Sequence, residues 1–272
     1  MTQYDLSLAA ADYAPWAGAP RKSLIIASHP RSGSTLLGEA IAFAGGLGCP
    51  LEYLHRGFRP TLAERWQTPD LDRYVAAMHR HRTDANGTLS IKMFWQDIAE
   101  LVLETQPDHD PARLERPADA VPAEDYRAMA AMLTAILPNP HYVYLYRRDG
   151  LRQAVSSLVA TQTGIWRVID GSQGRPASGQ AAYDYDRIMA LLAFGAFSHG
   201  HWRRFFAANG IAPRMIAYED MVADPEGVIG ALLVDLGATN PVPRPQRMRR
   251  QSNGASDALM LQFLQDHAAR TA

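Results

Sequence analysis

Four short runs of the chain are almost continuously apolar, and they constrain the fold more than any other feature of the sequence. The runs are SLIIA (residues 23–27), LSIKMF (residues 89–94), HYVYLY (residues 141–146) and RMIAYE (residues 214–219). A strand with one solvated face alternates apolar and polar residues, whereas a strand of a parallel sheet is buried on both faces and reads as one apolar run. The four runs therefore predict a parallel sheet.

Helical patterns lie between these runs. Apolar residues recur at helical spacing in residues 34–46, 122–137, 150–164, 181–209 and 223–238, and glycine or proline ends the patterns. Strands that alternate with helices imply right-handed crossovers and an α/β fold with a central, mostly parallel sheet flanked by helices. Ligands of such sheets bind beyond the carboxyl ends of the strands. We therefore expect a site formed by the turns after Ala27, Lys92 and Tyr146.

The length and composition predict one domain. The chain has 272 residues, of which 47% are hydrophobic, and this is enough for one substantial core. We assign residues 1–272 to a single domain with an N-terminal extension at residues 1–20. Residues 105–122 are rich in proline and charge and residues 170–180 in glycine and serine, so both are predicted loops.

Several classes of protein are excluded or disfavoured. The net charge of −1 provides no overall basic field for nucleic acid or an anionic membrane. A single cysteine, Cys49, excludes an internal disulfide and favours a reducing, cytoplasmic location. The sequence shows no secretory leader and no apolar stretch of the roughly 20 residues that span a bilayer. Because it also lacks an H-E-x-x-H motif, a cysteine pair and a G-x-S-x-G motif, we expect no metal and no serine-hydrolase chemistry.

The stretch HPRSGSTLL, at residues 29–37, joins the first predicted strand to the first predicted helix. Its backbone N–H groups and the helix N-terminus would converge on an anion. Compared with the nucleotide-binding pattern G-x-x-x-x-G-K-[ST], it places Ser34 where the lysine belongs and leaves Arg31 as the cation inside the turn. Without that lysine, ATP-dependent chemistry with Mg²⁺ loses the group that contacts the β- and γ-phosphates.

HPRSGSTLL resembles the 5′-phosphosulfate loop of sulfotransferases, which use 3′-phosphoadenosine 5′-phosphosulfate (PAPS). The resemblance implies a P-loop-like, three-layer sulfotransferase fold. It also assigns the 5′ end of the donor to Arg31, Ser32, Gly33, Ser34 and Thr35. A second signature of these enzymes is an arginine after a strand, followed eight residues later by a serine, and both hold the 3′-phosphate. YLYRRDGLRQAVS has this spacing at Arg148 and Ser156, with Arg147 as the alternative.

Further stretches resemble bacterial sulfotransferases of the trehalose 2-sulfotransferase type. They are SIKMFW, ATQTGIWR, YEDMVADP and RRQSNGASD, in the same order along residues 23–265. The resemblance implies that Arg250, Gln251 and Ser256 contact the nucleotide. It implies transfer of a sulfuryl group from PAPS to a hydroxyl of a carbohydrate or glycolipid acceptor resembling trehalose. The family also implies a homodimer.

The resemblance points to Glu52, in CPLEYLH, as the base that accepts the proton of the acceptor hydroxyl. A carboxylate at this position needs either a raised pKa or a late role in the proton transfer, and partial burial beside Tyr53 and Leu54 would raise the pKa. Spacing alone favours a surface residue or an ion partner of Arg56, and His55 is the nearest rival, because histidine is the commoner general base.

Four further positions complete the predicted acceptor side. Lys92 would contact the bridging oxygen or the acceptor, or it is an edge lysine whose head reaches solvent. Trp95, Trp166 and Arg167, with His55, would line the acceptor pocket, because aromatic faces and arginine suit sugar rings. The two other functions that remain open are an atypical nucleotide-dependent phosphotransferase and a catalytically inactive nucleotide-binding module.

Overall fold

The centre of the protein is a four-stranded parallel sheet. The structure, a computed structural model, describes residues 4–167, 181–238 and 254–271. The strands are β1 (Lys22–Ser28), β2 (Thr88–Phe94), β3 (Pro140–Tyr146) and β4 (Arg214–Ala217), and their order in the sheet is β2-β1-β3-β4. All three pairings are parallel. The four apolar runs and the predicted parallel sheet are thus confirmed.

Eleven helices surround the sheet in the described part of the chain. In order they are α1 (Ser34–Ala44), α2 (Arg59–Trp66), α3 (Leu71–Arg82), α4 (Trp95–Thr105), α5 (Pro111–Leu114), α6 (Ala123–Ile136), α7 (Gly150–Thr163), α8 (Tyr185–Ala208), α9 (Tyr218–Ala223), α10 (Pro225–Asp235) and α11 (Gly254–Thr271). The five predicted helices correspond to α1, α6, α7, α8 and α10. The predicted loop at residues 105–122 contains α5 and a short 3₁₀ turn at Ala118–Ala120, and the loop at residues 170–180 lies outside the described residues.

The two faces of the sheet are covered by separate apolar clusters. Ile25 and Ala27 of β1 point into a cluster that includes residues of α3, α4, α6 and α8. Leu24 and Ile26 point the opposite way, into a smaller cluster with α1 and α10. Side chains of a strand alternate between the faces, so a strand that is apolar throughout requires cover on both sides. The result is the expected three-layer arrangement of helices, sheet and helices.

The connections place several loops at one edge of the sheet. The chain leaves β1, forms β2 on one side and then crosses to form β3 on the other, so the order of the strands reverses between β1 and β3. In open α/β sheets the carboxyl ends of the strands at such a reversal form the usual ligand crevice. Residues 29–33 follow β1 and Arg147 follows β3, so both lie at this crevice.

The N-terminal residues are part of the packed structure. Short 3₁₀ turns at Asp5–Ser7 and Ala9–Ala11 lie against α3, and the fully buried Arg82 of α3 donates hydrogen bonds to the carbonyls of Leu6 and Ala11. The predicted extension is therefore anchored at residues 4–12. Among the helices of the described ranges, none is long and apolar enough to cross a bilayer.

Candidate active site

The loop of residues 29–33 has an unusual backbone. Arg31 has a φ of 67° and Gly33 a φ of 87°, both in the left-handed region that non-glycine residues rarely adopt. A strained arginine persists only where the surrounding structure holds it, and such positions cluster at ligand sites. The Ser32 hydroxyl donates to the His29 carbonyl at 2.7 Å, and the amide of Gln153 on α7 donates to Ser32 Oγ at 2.9 Å. The loop is thus fixed from within and from α7.

Gly33 is required for more than its backbone angle. A Cβ at this position would lie 2.6 Å from Cδ2 of Tyr218, the first residue of α9. The ring of Tyr218 packs against the loop on one side, and the guanidinium of Arg147 lies 4.5 Å from the ring centre. Because Gly33 has no side chain, the loop can contact the ring of Tyr218, and this ring in turn packs against Arg147.

The N-terminus of α1 is an anion-binding feature. The helix begins at Ser34, and within the part of the chain that the structure describes no side chain caps it. The first backbone N–H groups of a helix have no partner within the helix, and its dipole adds partial positive charge there. Residues Ser34 and Thr35 contribute these donors. The loop and helix together can hold an anionic group at the end of β1.

Arg31 supplies a largely buried positive charge beside this helix end. Its Nε donates to Ser156 Oγ of α7 at 3.0 Å, and its Nη1 donates to the carbonyl of Trp166. Burial and then the nearby charge of Arg147 lower the pKa of Arg31 to about 10. The side chain stays protonated at neutral pH, and an anion bound beside it would relieve both costs. Ser156, predicted to bind the 3′-phosphate, thus lies in direct contact with the arginine of the 5′ loop.

The two arginines after β3 have different surroundings. Arg148 is half-exposed and its Nη1 donates to Asp220 at 2.6 Å, while its backbone N–H donates to Glu219 at 3.1 Å. The side chain of Arg147 is buried and donates to the Arg31 carbonyl at 3.3 Å. Both candidates for the 3′-phosphate therefore lie at the crevice, with Arg147 against the loop and Arg148 on its outer side.

Glu52 and Lys92 form a buried ion pair next to the loop. Lys92 Nζ lies 3.0 Å from Glu52 Oε1, and their side chains are 2% and 17% exposed. The same ammonium donates to Thr35 Oγ1 at 3.4 Å. An isolated parallel bridge between Leu51 and Ile91 sets this geometry, since it places residue 52 beside residue 92. The surface positions considered for both residues are wrong.

The charge state of Glu52 is set by opposing effects. Desolvation by burial raises the pKa of its carboxyl, as expected, but the charge and hydrogen bond of Lys92 and the charges of Arg167 and His55 outweigh it. The pKa of Glu52 therefore lies below its usual value, and the expectation of a raised pKa is wrong. Arg56, the alternative ion partner, lies 3.6 Å from Glu100 instead.

His55 lies on the α4 side of Glu52. Its Nδ1 accepts a hydrogen bond from the N–H of Gly57 at 3.2 Å and lies 3.9 Å from Asp97 Oδ1. Burial, and then repulsion from Glu52 and Glu100, raise the pKa of the Asp97 carboxyl well above its usual range. The imidazole is thus oriented by the backbone N–H of Gly57, whereas Glu52 pairs with Lys92, which also contacts Thr35.

Comparison with known proteins identifies the family of this chain. The model of the Stf0 sulphotransferase family matches residues 23–266. The chain belongs to this family.

It is 27% identical to the trehalose 2-sulfotransferase of Mycobacterium tuberculosis over 264 residues, which cover 88% of this chain and 92% of the relative. It is 24% identical to the trehalose 2-sulfotransferase of Mycolicibacterium smegmatis over 262 residues, covering 91% and 96%. A solved sulfotransferase structure from Alicyclobacillus acidocaldarius aligns with a TM-score of 0.45 at 13% identity, covering 91% of this chain and 93% of that one.

The aromatic residues predicted for the acceptor side of this sulfotransferase take different positions. Trp95 is buried, stacks on His201 at 4.7 Å and lines a groove of about 530 Å³ between α4 and α8. Trp166 is 43% exposed and its carbonyl accepts from Arg31. The guanidinium of Arg167 lies 4.5 Å from the ring centre of Tyr4. Trp166 thus contacts the loop of residues 29–33, Arg167 packs on Tyr4, and Trp95 lies at the start of α4.

The C-terminal nucleotide contacts implied for a sulfotransferase are described only in part. Ser256 is buried near the start of α11, and its neighbour Asp257 accepts a hydrogen bond from Arg152 of α7 at 2.7 Å. The first turn of α11 therefore packs on the helix that carries Ser156. Arg250 and Gln251 lie outside the described residues.

Three residues of this sulfotransferase site were not assigned from the sequence. Gln153 lies between Arg148 and Ser156 in the quoted signature, and its amide also donates to the Pro30 carbonyl at 2.8 Å. Tyr218 begins the quoted stretch YEDMVADP and contacts Gly33. Gln153 and Tyr218 both lie inside motifs that resemble the family, and this position was the sequence signal that could have identified them. Tyr4 lies in no motif, and no sequence signal connects it with Arg167.

Proposed function

We propose that this sulfotransferase transfers a sulfuryl group from PAPS to a hydroxyl of a sugar or glycolipid acceptor, with trehalose as the first candidate. The observation that carries the proposal is the contact of Lys92 with both Glu52 and Thr35. It joins a carboxylate able to accept a proton to the loop that would hold the phosphosulfate. The names of the two mycobacterial relatives support a trehalose-like acceptor.

The donor would bind at the end of β1. The first N–H groups of α1 and the guanidinium of Arg31 would meet the 5′-phosphosulfate, because they combine hydrogen-bond donors with a buried positive charge. Ser156 with Arg148, or with Arg147, would hold the 3′-phosphate. Family membership supports PAPS as the co-substrate. We expect no metal, because a sulfuryl group carries less charge than a phosphoryl group and the cations of the loop can meet it.

The transfer step would proceed at Glu52. The oxygen of the acceptor hydroxyl attacks sulfur in line with the bond between sulfur and the bridging oxygen, which breaks and leaves 3′-phosphoadenosine 5′-phosphate (PAP). The hydroxyl proton passes to Glu52. The Lys92 ammonium, at 3.0 Å from Glu52 Oε1, would stabilise charge on the leaving phosphate oxygen as the bond breaks. Because the pKa of Glu52 is low, it would accept the proton late, once bond formation has made the hydroxyl acidic.

We further propose that the enzyme is cytoplasmic and that it forms a homodimer. Its single cysteine, Cys49, is buried as a free thiol, which suits a reducing compartment. The dimer rests on the family resemblance. Size-exclusion chromatography with light scattering would test it, and a monomer at enzyme concentrations would overturn it.

Donor binding is the first test. Calorimetry should show that PAP binds equally well with Mg²⁺ and with EDTA, and that Arg31→Ala reduces its affinity at least about a hundredfold, the scale of lost charge-assisted bonds to a phosphate. Arg214→Ala is the matched control, because Arg214 begins β4 at the opposite edge of the sheet and pairs with Asp235. Arg148→Ala and Arg147→Ala identify the 3′-phosphate ligand. Tight binding of ATP with Mg²⁺ and indifference to PAP would instead indicate a phosphotransferase.

Transfer is the second test. Sulfur-labelled PAPS is incubated with trehalose, a panel of glycolipids and a metabolite extract, and labelled products are identified by mass spectrometry. Glu52→Gln should keep PAP affinity and lower kcat by about 10² to 10⁴, the usual contribution of a general base. His55→Gln, made in parallel, should retain most activity. Donor binding without transfer to any acceptor would favour the inactive binding module.

A further inference from the structure

The N-terminal segment, defined here as residues 4–12, is held firmly against α2 and α3. Arg82 Nη1 donates to the carbonyls of Leu6 at 2.9 Å and Ala11 at 3.2 Å. Asp12, at the end of the segment, pairs with Arg82 at 3.0 Å and with Arg65 at 2.8 Å. Arg82 is fully buried, and a buried charge that loses its partners costs several kcal/mol, so the segment is locked in place.

This anchoring presents Tyr4 to the site. Tyr4 is 7% exposed, and its hydroxyl donates to Oε1 of Glu39 at 2.7 Å. Glu39 belongs to α1 and lies about one turn beyond Thr35 of the phosphosulfate loop. Burial, and then the hydrogen bond and charge of Glu39, raise the pKa of the Tyr4 phenol far above neutral pH, so it remains a donor. Tyr4 is therefore fixed to the helix that carries the loop.

The side chain of Arg167 covers one face of the Tyr4 ring. Its guanidinium lies 4.5 Å from the ring centre of Tyr4, within the range of a cation–π contact. The preceding residue, Trp166, accepts a hydrogen bond from Arg31 through its carbonyl. The charge of Arg167 also contributes to lowering the pKa values of Glu52 and Arg31. Arg167 is thus close to both ends of the proposed transfer path.

We propose that Tyr4 is a positioning residue for this sulfotransferase, which holds the guanidinium of Arg167 over the site formed by Arg31, Glu52 and Lys92. The inference rests on the proposed function for its effect on rate. The segment at residues 4–12 is then a wall of the acceptor site, and Arg167 is the cation that the acceptor hydroxyl or the departing sulfuryl oxygens meet. A purely structural Tyr4 would affect stability and leave the charge beside Glu52 unchanged.

Substitutions at Tyr4 separate its ring from its hydroxyl. Tyr4→Phe keeps the ring beneath Arg167 and should retain kcat/KM for the acceptor within about threefold, whereas Tyr4→Leu removes the ring and should lower it about tenfold, within the range of a cation–π contact. PAP affinity is measured for both variants, so that an effect on the donor end is separated from an effect on the acceptor. Trp16→Leu is the matched control, since Arg21 lies 5.3 Å from the Trp16 ring centre in the same N-terminal region, away from the site.

The titration of Glu52 tests the same inference without any need for transfer. Glutamate is labelled with ¹³C at the side-chain carboxyl, the Glu52 signal is assigned by its loss in Glu52→Gln, and its pKa is measured in the absence and presence of PAP. Tyr4→Leu should raise the pKa of Glu52, as should Arg167→Gln, and the double variant should raise it no further than Arg167→Gln alone. Tyr4→Phe and Trp16→Leu should leave it unchanged.

These readouts distinguish the two proposals. If wild-type protein transfers no sulfuryl group, the proposed function fails, while the titration of Glu52 still decides the role of Tyr4. If Tyr4→Leu leaves the pKa of Glu52 as in wild type, or if the two single variants have independent effects, Tyr4 does not act through Arg167. Should Tyr4→Leu fail to fold, Tyr4→Met, which also lacks the ring, takes its place in both measurements, and the same outcomes decide the question.

Discussion

Lys92 and Glu52 illustrate how one buried ion pair can serve two purposes. The lysine keeps the carboxylate ionised, and in the proposed mechanism this carboxylate accepts a proton. The same ammonium contacts Thr35 in the first turn of α1, so in that mechanism its charge is available to the leaving group. Removal of one member of a buried pair leaves the other charge uncompensated. The pH dependence of catalysis should therefore show how far Lys92 lowers the pKa of Glu52.

Lys92→Met should move the acid limb of the pH profile of kcat/KM to higher pH. In the wild type the folded-state pKa of Glu52 lies below the unfolded value, so its contribution to stability is present above the unfolded pKa and is lost as pH falls through the folded pKa. Without the lysine, burial raises the pKa of Glu52 and the base is protonated at higher pH. Steady-state rates from about pH 4 to 8, the range that spans a shifted carboxyl, would measure the change. Lys22→Met is the control, because Lys22 of β1 donates to the Leu236 carbonyl, away from the site; equal profiles for the two variants would contradict the role of Lys92.

At the scale of elements, the path from β1 through the loop to α1 is shaped by close contact with α9. Gly33 has no room for a side chain, since Tyr218 occupies the space where its Cβ would lie. The positions of the loop and of the start of α1 thus depend on the position of the Tyr218 ring. A change at Gly33 should affect the donor site as well as stability.

Gly33→Ala should destabilise the fold by about 2–4 kcal/mol and weaken PAP binding, because the substitution adds the strain of a positive φ and a clash with Tyr218. The added Cβ would lie 2.6 Å from the tyrosine ring. Gly164→Ala is the matched control, because Gly164 has φ 70° and ψ 6°, close to the 87° and 16° of Gly33, but no described atom lies within 4 Å of the position that the new methyl group would take. Urea unfolding and PAP calorimetry of both variants separate the clash from the backbone strain. Equal losses in the two variants would remove Tyr218 from the explanation.

The strands and their loops were predictable because their signals are local. Each strand is a short apolar run, and the loop motif lies within a single short stretch, HPRSGSTLL. Helix α3 was not predicted, because its buried face consists of Tyr74, Met78 and Arg82, and a charged residue on that face disguises the amphipathic pattern. Helix α4 starts immediately after β2, with no turn residues to mark the boundary.

Candidate residues for the site could be named from the sequence, but most of their contacts could not. Glu52 and Lys92 were both identified, yet their pairing depends on the bridge between Leu51 and Ile91, which joins distant parts of the chain. The expected rise in the pKa of Glu52 was wrong for the same reason, since burial was foreseen and the neighbouring ammonium was not. Contacts set by tertiary packing leave no periodic signal in sequence.

At the scale of the whole molecule, a pair of histidines links the loop to α8. His29, the residue after β1, is 3% exposed, and its ring centre lies 5.7 Å from that of His199. Burial, and then the neighbouring His199, lower the pKa of His29 to about 3. Burial, and then the charge of Arg203, lower the pKa of His199 to about 4. Both rings are neutral in the folded protein at mildly acidic pH.

The stability of the protein should fall between about pH 7 and pH 5 because of these rings. The unfolded chain takes up protons on them near pH 6.5, whereas the folded chain does not, so stability is complete above that pH and decreases as pH falls. Each ring contributes at most about 1.4 kcal/mol per pH unit. Urea unfolding at several pH values should show a shallower pH dependence in His29→Asn than in wild type. His141→Asn, at an exposed position of β3, should keep the wild-type slope, and an unchanged slope in His29→Asn would refute the prediction.

The position of β1 in the middle of the sheet has a consequence for synthesis on the ribosome. β1, the loop and the start of α1 leave the exit tunnel before both neighbouring strands and Tyr218, which lie further along the chain. Until they arrive, β1 has two unpaired edges, and such edges are aggregation-prone. A nascent chain that stops before Tyr218 lacks the ring that packs on Gly33. The loop that would hold the donor is therefore translated before the elements that give it its final shape.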